Sequence, residues 1–289
     1  MSKDLTICVP AYNEAPGIKT TLEELRSHFR EAEIIVVDDG STDDTLKLAK
    51  SVEGIVVLSH DHNRGYGASL KTAMRKANRR TIAWFDADGQ HRIEDLEKVA
   101  QPLIDGSVDA VIGVRGKESE VSMDRLPGKL ILKFVSELLV GRSIPDLNSG
   151  LRCFRADVIR RYFHLLPDGF SASSTTTLLM MRRGYRLGFV DIIAVKRQGH
   201  STVSIISDGL ATLKLIIRII VLFNAFTFFT VLSILQIIPG LIYGVYLAIV
   251  SHLGFPVLAS TVVISGALTF FMGLICDQIT ELRKERFED

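Results

Sequence analysis

The chain has 289 residues, enough for one large α/β domain and a further segment. Its 34 basic and 33 acidic residues leave a formal net charge of +1, so nothing in the charge balance points to a bulk nucleic-acid partner. Three cysteines, Cys8, Cys153 and Cys276, lie far apart and match neither a metal nor a disulfide framework.

The N-terminus runs straight into an apolar strand, Leu5 to Val9, with no secretory leader ahead of it. A loop, Pro10-Ala-Tyr-Asn-Glu14, leads to helical spacing from Ile18 to Phe29. A second strand, Glu33 to Val37, ends in Asp38-Asp39-Gly40-Ser41, and Ser41 or Thr42 caps a helix towards Val52. Ile55 to Ser59 is a third strand. The glycine-rich Asn63-Arg-Gly-Tyr-Gly67 then opens a helix from Ala68 to Ala77. Strands alternating with helices predict a mainly parallel sheet, whose ligands bind beyond the carboxyl ends of the strands. Three such ends are polar: Tyr12 to Glu14, Asp38-Asp39, and Asp86 to Gln90.

The third end closes the stretch TIAWFDADGQH, Thr81 to His91. Its first half reads as a buried strand, which must stop where the carboxylates begin, because unpaired charges are not buried. Asp86, Asp88 and Gln90 offer hard oxygen ligands at alternating positions, which suits Mg²⁺ or Mn²⁺. Alone, the pattern is equally that of an acidic turn without metal. Lys71, on the helix after the glycine-rich loop, reads either as a phosphate-facing cation or as a solvated lysine.

In order, VPAYNE, VVDDGSTDDT, HNRGYGAS and WFDADGQH resemble the inverting nucleotide-sugar glycosyltransferases of family 2. The resemblance runs from about Leu5 to Val203 and implies a GT-A fold, an α/β domain with a Rossmann-like, mainly parallel sheet. It places Pro10, Tyr12, Glu14, Asp38 and Asp39 at the nucleotide, and Asp86, Asp88 and Gln90 on a divalent cation at the donor pyrophosphate. Gly65 and Gly67 would allow close backbone approach, with Lys71 nearby.

Many members that act on hydroxyls carry an acidic pair as general base. Here the stretch Phe170 to Thr177, FSASSTTT, holds no carboxylate. A phosphate acceptor needs none, since its second pKa of about 6 leaves it ionised; it needs cations. Arg115 ends the strand Ala110 to Val114. Arg125, Lys129 and Lys133 follow at helical spacing beside an apolar stripe of Leu126, Leu130, Phe134 and Leu138. That pattern fits a helix on a membrane surface or, alternatively, a basic face on a core-packed helix. Asp146-Leu-Asn-Ser-Gly-Leu-Arg152 and Arg197-Gln-Gly-His-Ser201 narrow the resemblance to the polyprenyl-phosphate glycosyltransferases, the group of dolichyl-phosphate mannose synthase. It implies Ser149, Gly150 and Arg152 near the donor sugar. Arg197 and Ser201 join Arg115, Arg125 and Lys129 at the acceptor phosphate, with Arg115 and Arg125 taking part in catalysis. Members often carry Lys after that serine, where this chain has Thr202.

The last third changes character. Leu210 to Phe223 reads as an interfacial helix; Ala225 to Val250 and Pro256 to Cys276 are uncharged and exceed or match the roughly 20 residues of a membrane span. The expected organisation is a catalytic domain over residues 1–207, a juxtamembrane helix over 208–223, a transmembrane hairpin over 224–276 and a tail over 277–289. Lys214 and Arg218 before the hairpin, and Arg283, Lys284 and Arg286 after it, place both termini in the cytoplasm by the positive-inside rule. Ser260, Gly266, Ala267 and Gly273 are small enough for helix packing in a homo-oligomer. The expected activity is metal-dependent transfer of a sugar from a UDP- or GDP-sugar to a membrane polyprenyl phosphate. Two alternatives stand beside it: transfer to a lipid or glycan hydroxyl, and a non-catalytic membrane-tethered nucleotide-sugar binding protein.

Overall fold

The computed structural model describes residues 2–116, 119, 133–134, 136–137, 140–169, 171–195, 205–252 and 254–285. Two compact units emerge, Met1–Asp208 and Gly209–Asp289.

In the first unit, apolar β-branched runs form β1 (Leu5–Ala11), β2 (Glu33–Asp38), β3 (Val56–Ser59), β4 (Thr81–Trp84) and β5 (Ala110–Arg115). β6 (Arg152–Arg155) and β7 (Leu187–Ile192) complete a sheet of order β3-β2-β1-β4-β6-β5-β7. All neighbours are parallel except β6, which runs antiparallel between β4 and β5. α1 (Ile18–His28), α2 (Thr45–Lys50), α3 (Tyr66–Lys76), α4 (Ile93–Ile104), α5 (Ala156–Arg160) and α6 (Ala172–Arg182) connect these strands.

Two features of the sheet create the site. β1 extends two residues beyond the expected strand, through Pro10, which has no N–H to give a ladder. This is tolerated because β4 stops pairing at Cys8↔Trp84, so past Cys8 that side of β1 has no partner strand. β1 therefore projects at the carboxyl edge, while its other side pairs on to Ala11↔Asp38. The second feature is β6. Because it is reversed, its first residue, Arg152, lies opposite Trp84 at the end of β4. The turn that feeds β6 consequently enters beside Asp86.

The core is continuous beneath this edge. Trp84 and Phe154 pack with ring centroids 4.9 Å apart, and the Trp84 indole N–H points at the Met74 sulfur, 3.3 Å away.

The second unit contains α7 (Ile205–Ser251) and α8 (Val257–Glu285). Asn224 departs from helical angles (φ −156°, ψ 50°), so α7 is two helices joined there, and the second continues through Pro239. Asn224–Val250 and Val257–Leu282 are each long and apolar enough to cross a membrane. Ala259, Gly266 and Gly273 are buried at seven-residue steps along α8. A Cβ on Gly266 would come within 2.5 Å of Ile237, and one on Gly273 within 2.7 Å of Phe229. The Ser233 hydroxyl donates to the Gly266 carbonyl at 2.7 Å. Gly266 and Gly273, two of the four small residues expected to serve an oligomer, thus pack against α7 inside the hairpin.

Candidate active site

A cavity of about 560 Å³ opens at the carboxyl edge of β1, β2 and β4. One wall is made by Pro10, Ala11, Tyr12, Asn13, Glu14, Asp39 and Asn63; the other by Tyr66, Asp86, Asp88, Asn148, Gly150 and Ser173.

The first wall is fixed by carboxylates and hydroxyls that collect backbone N–H groups from neighbouring loops. Asp39 accepts from Gly65 N at 2.7 Å and Arg64 N at 3.0 Å, tying the loop after β2 to the glycine-rich loop. His60 Nδ1 donates to Asp39 at 2.6 Å, and its Nε2 is 2.9 Å from Thr72 Oγ1. The loop after β1 is held by Ser41, Thr45 and Asp43, which accept from Asn13 N, Glu14 N and Ala15 N at 2.9, 2.8 and 3.2 Å. Asn13 takes a positive φ of 54° there, as asparagine tolerates, and its Oδ1 accepts from Thr42 N. Asp38 lies below this wall at 2% exposure, accepting from Ser41 N at 3.3 Å. It does not line the cavity.

Asp86 anchors the second wall. The Tyr66 hydroxyl donates to it at 2.8 Å, and His91 Nε2 lies 3.4 Å from its other oxygen. A Cβ on Gly150 would collide with the same carboxylate, so only glycine lets the turn into β6 close on Asp86. Burial raises the pKa of Asp86, but His91, the Tyr66 hydroxyl and the Arg152 charge outweigh it and hold the group below the usual carboxylate range. Burial and the neighbouring Asp86 push the Tyr66 phenol well above its ordinary value, so it remains a donor. Asp88 accepts from Gln90 N at 3.1 Å. Gln90 itself does not line the cavity, and its carbonyl accepts from Val195 N at 3.0 Å.

Among the described residues no three His, Cys, Asp or Glu side chains gather as a metal cage. Two carboxylates facing one cavity are instead the donor set of Mg²⁺ or Mn²⁺, which complete their shells with water and substrate phosphates. Asp86 and Asp88 fit that role; the expectation for Gln90 is not supported by its position.

Arg152 is fully buried, yet touches no carboxylate. It donates to the carbonyls of Ser149 (2.7 Å), Leu147 (2.9 Å) and Ser173 (2.7 Å), and to Thr177 Oγ1 (2.7 Å). Burial lowers its pKa to about 10, so the charge persists at neutral pH. One guanidinium thus binds the turn into β6 to the first two turns of α6. Ser173, Ser174, Thr175, Thr176 and Thr177 are all buried in that helix. Thr176 and Thr177 bond back to the carbonyls of Ala172 and Ser173, at 2.6 and 3.2 Å. Ser174 donates to Asn148 Oδ1 at 2.8 Å. Arg152 does not line the cavity; it supports the turn and the helix that carry Asn148, Gly150 and Ser173, which do.

Several expected contacts fall elsewhere. Lys71 is drawn away from the cavity to the Leu166 carbonyl (3.1 Å) and an ion pair with Asp168. Gly65 and Gly67 do admit close backbone, but it is the protein's own: a Cβ on either would strike the carbonyls of Asp168 or Pro167. Ala68 N also donates to Asp168 O at 3.0 Å. Arg115 forms a two-pronged ion pair with buried Asp146, at 2.7 and 2.9 Å, bracing the start of the same turn. Ser149 is buried at 1% and does not line the cavity. Arg125, Lys129, Arg197 and Ser201 lie outside the described residues.

Tyr66, Asn63, Asn148 and Ser173 were not singled out from sequence. Tyr66 had a signal, since it stands between Gly65 and Gly67 with an aromatic ring where a phosphate loop would carry none. The other three had none.

An α/β sheet with nucleotide-type loops on one wall and two carboxylates on the other is the architecture of a sugar-nucleotide transferase. Residues 6–163, more than half the chain, match the model of glycosyl transferase family 2, and residues 226–282 match the GtrB C-terminal hairpin. The chain belongs to glycosyl transferase family 2. It is 33% identical over 181 residues to the UDP-N-acetylglucosamine–dolichyl-phosphate N-acetylglucosaminyltransferase of Methanococcus voltae, covering 55% of this chain and 72% of that protein. It is 28% identical to the undecaprenyl-phosphate mannosyltransferase of Micrococcus luteus, covering 69% of this chain and 87% of that one. The glucosyl-3-phosphoglycerate synthase of Mycobacterium tuberculosis, solved with Mn²⁺, UDP and phosphoglyceric acid, shares the fold with a TM-score of 0.60. That superposition covers 75% of this chain and 78% of the synthase at 18% identity.

Proposed function

We propose that this protein transfers a hexose from a nucleotide sugar to a membrane polyprenyl phosphate, with inversion at the anomeric carbon and with Mg²⁺ or Mn²⁺. The observation that carries the reading is one cavity with a nucleotide wall and an Asp86–Asp88 wall, on a chain that ends in two membrane-length apolar helices. The relatives named for transfer to dolichyl and undecaprenyl phosphate support the acceptor class.

In this reading Pro10, Tyr12, Glu14 and Asp39 bind the nucleoside, and Asp38 supports them from below. Asp86 and Asp88 hold the cation, which when bound offsets the charge that develops on the departing diphosphate. An oxygen of the lipid phosphate forms the new bond to the anomeric carbon. The old C1–O bond breaks with its electrons leaving on the nucleoside diphosphate. No base is required, and α6, where one was sought, contains only uncharged side chains up to Arg182. That composition disfavours a hydroxyl acceptor. Arg125, Lys129, Arg197 and Ser201 are assigned to the acceptor phosphate. Arg115 acts one step removed, through Asp146 and the turn into β6. The domain limits are placed at 207, 223 and 276, and both termini on the cytoplasmic side. A homo-oligomer would meet through the large apolar faces of the hairpin rather than its small-residue seam.

The test uses the full chain in detergent with Mn²⁺, polyprenyl phosphate and a panel of UDP- and GDP-sugars, read by mass spectrometry of the lipid. A hexosyl-phosphate lipid is expected from at least one donor. Asp88→Ala should lower its formation by about 10²–10³-fold, the scale of losing one electrostatic stabiliser. Undiminished transfer in the variant, or in excess EDTA, overturns the metal assignment; no product from any donor overturns the reaction.

A further inference from the structure

We infer that Asn148 reads the sugar of the nucleotide donor, as a hydrogen-bond donor to a hexose oxygen, and that Ser174 sets which end of its amide does so. The inference rests on the proposed function and extends it to a residue that no motif assigned.

Asn148 is exposed within the cavity, on the wall that carries Asp86, Gly150 and Ser173, away from Tyr12 and Asp39 at the nucleoside end. Its position is fixed twice. Its backbone N donates to Asp146 Oδ1 at 3.1 Å, and Asp146 is itself clamped by Arg115. Its side-chain oxygen accepts from Ser174 Oγ at 2.8 Å. Ser174 is 1% exposed on a helix that Arg152 ties to the same turn.

An asparagine amide carries an accepting oxygen and a donating NH₂ that diverge from one carbon. With the oxygen engaged by buried Ser174, the NH₂ is the end left to a ligand in the cavity that Asn148 lines. Asn148 therefore offers that ligand two N–H donors, its oxygen being partly taken up by Ser174. The nucleoside is claimed by the opposite wall and the diphosphate by the Asp86–Asp88 end. What remains beside Gly150 and Ser173 is the hexose, whose ring hydroxyls or acetamido carbonyl supply acceptor oxygens. Such a contact discriminates among sugars by the presence and direction of one oxygen.

The experiment measures Kd by calorimetry for UDP, UDP-glucose and UDP-N-acetylglucosamine, and for GDP and GDP-mannose, with Mn²⁺ and the full chain in detergent. The quantity read is the sugar increment, the ratio of Kd for the nucleoside diphosphate to that for its sugar. Asn148→Ala should reduce the increment of the preferred donor by about 5–10-fold, one hydrogen bond, and leave the diphosphate Kd unchanged. Asn148→Asp, which keeps the shape but replaces the donors with an acceptor, should lose at least as much. Ser174→Ala should lose part of the increment, Ser174→Thr should recover it, and Ser174→Ala should add nothing on top of Asn148→Ala. An unchanged increment in Asn148→Ala, or a retained one in Asn148→Asp, overturns the inference. Wild-type protein that binds none of the nucleotides overturns the parent reading instead, and the two failures are distinct.

Discussion

The two walls of the cavity are built in opposite ways. The nucleoside wall is a set of short loops at adjacent strand ends, stitched by Asp39, Ser41, Asp43 and Thr45 to backbone N–H groups 26 to 31 residues away or fewer. Each stitch is modest, about 0.5–1.5 kcal/mol net for a neutral pair and more for a carboxylate, and the loops share several. The sugar-side wall hangs on one buried cation. Arg152 gathers three carbonyls and a hydroxyl from two segments, and without them it would be a bare charge in the core. Bonding shared among several side chains tolerates the loss of a member; a single buried hub does not.

The largest effect should come from the hub. Arg152→Met keeps the volume but leaves the Leu147 and Ser149 carbonyls without this donor and the Ser173 carbonyl with only the Thr177 bond, and should destabilise the first unit by about 3–5 kcal/mol. Chemical denaturation of the full chain, followed through Trp84 fluorescence, measures it; a loss under about 1 kcal/mol would show that the wall is not organised around Arg152.

A smaller and different effect is expected across the cavity. Asp39→Asn cannot accept from Arg64 N, Gly65 N and His60 with both of its ends, so the loop after β2 loosens. The Kd for UDP or GDP should rise by about tenfold, at a stability cost of about 1–2 kcal/mol. The sugar increment should not move. A fall in the increment with diphosphate affinity intact would mean the walls do not divide the donor as described.

The smallest effect lies at the far edge of the sheet and touches neither wall. Asp109 is held below the usual carboxylate range by the Arg186 hydrogen bonds, against burial, with the Arg186 and Arg155 charges assisting. The folded protein therefore gives up this proton more readily than the unfolded chain, whose aspartates titrate near about 3.9. The stabilisation is complete above that pH and fades as the pH falls through the lower folded value. Asp109→Asn should flatten the acid limb of thermal stability below about pH 4, by under about 1 kcal/mol, with nucleotide binding unchanged. An acid limb as steep as that of the wild type would remove Asp109 from its causes.

Legibility in the sequence stops at the strand ends. Strands, the three polar strand ends and the two apolar spans follow from local periodicity. The bonds that hold either wall join segments far apart in the chain, 31 residues at Glu14 and Thr45 and 25 at Arg152 and Thr177, and no local pattern announces them. A run of five Ser and Thr in α6 has no helical amphipathicity to betray it, because its inward groups are hydroxyls satisfied by Arg152, Asn148 and the helix's own carbonyls. The resemblance implied a place near the donor sugar for Arg152, whereas the partners it finds are the carbonyls of Leu147, Ser149 and Ser173 and the Thr177 hydroxyl. The Lys71 ion pair was not legible for a related reason: its partner Asp168 lies far along the chain and only meets it once the glycine-rich loop accepts the 167–169 backbone.

The seam of the hairpin has a consequence for its length. Ala259, Gly266 and Gly273 recur every seventh residue and are buried, and the two glycines meet α7 where an added Cβ would collide. Inserting one residue between Ala259 and Gly266 would turn everything beyond it by about 100°, swinging Gly273 off the contact and a bulky neighbour onto it. Inserting seven would bring the glycines back to within about 20° of their place. The outward faces of the hairpin accept any lipid-compatible side chain, so here the count of residues is constrained more tightly than their identity.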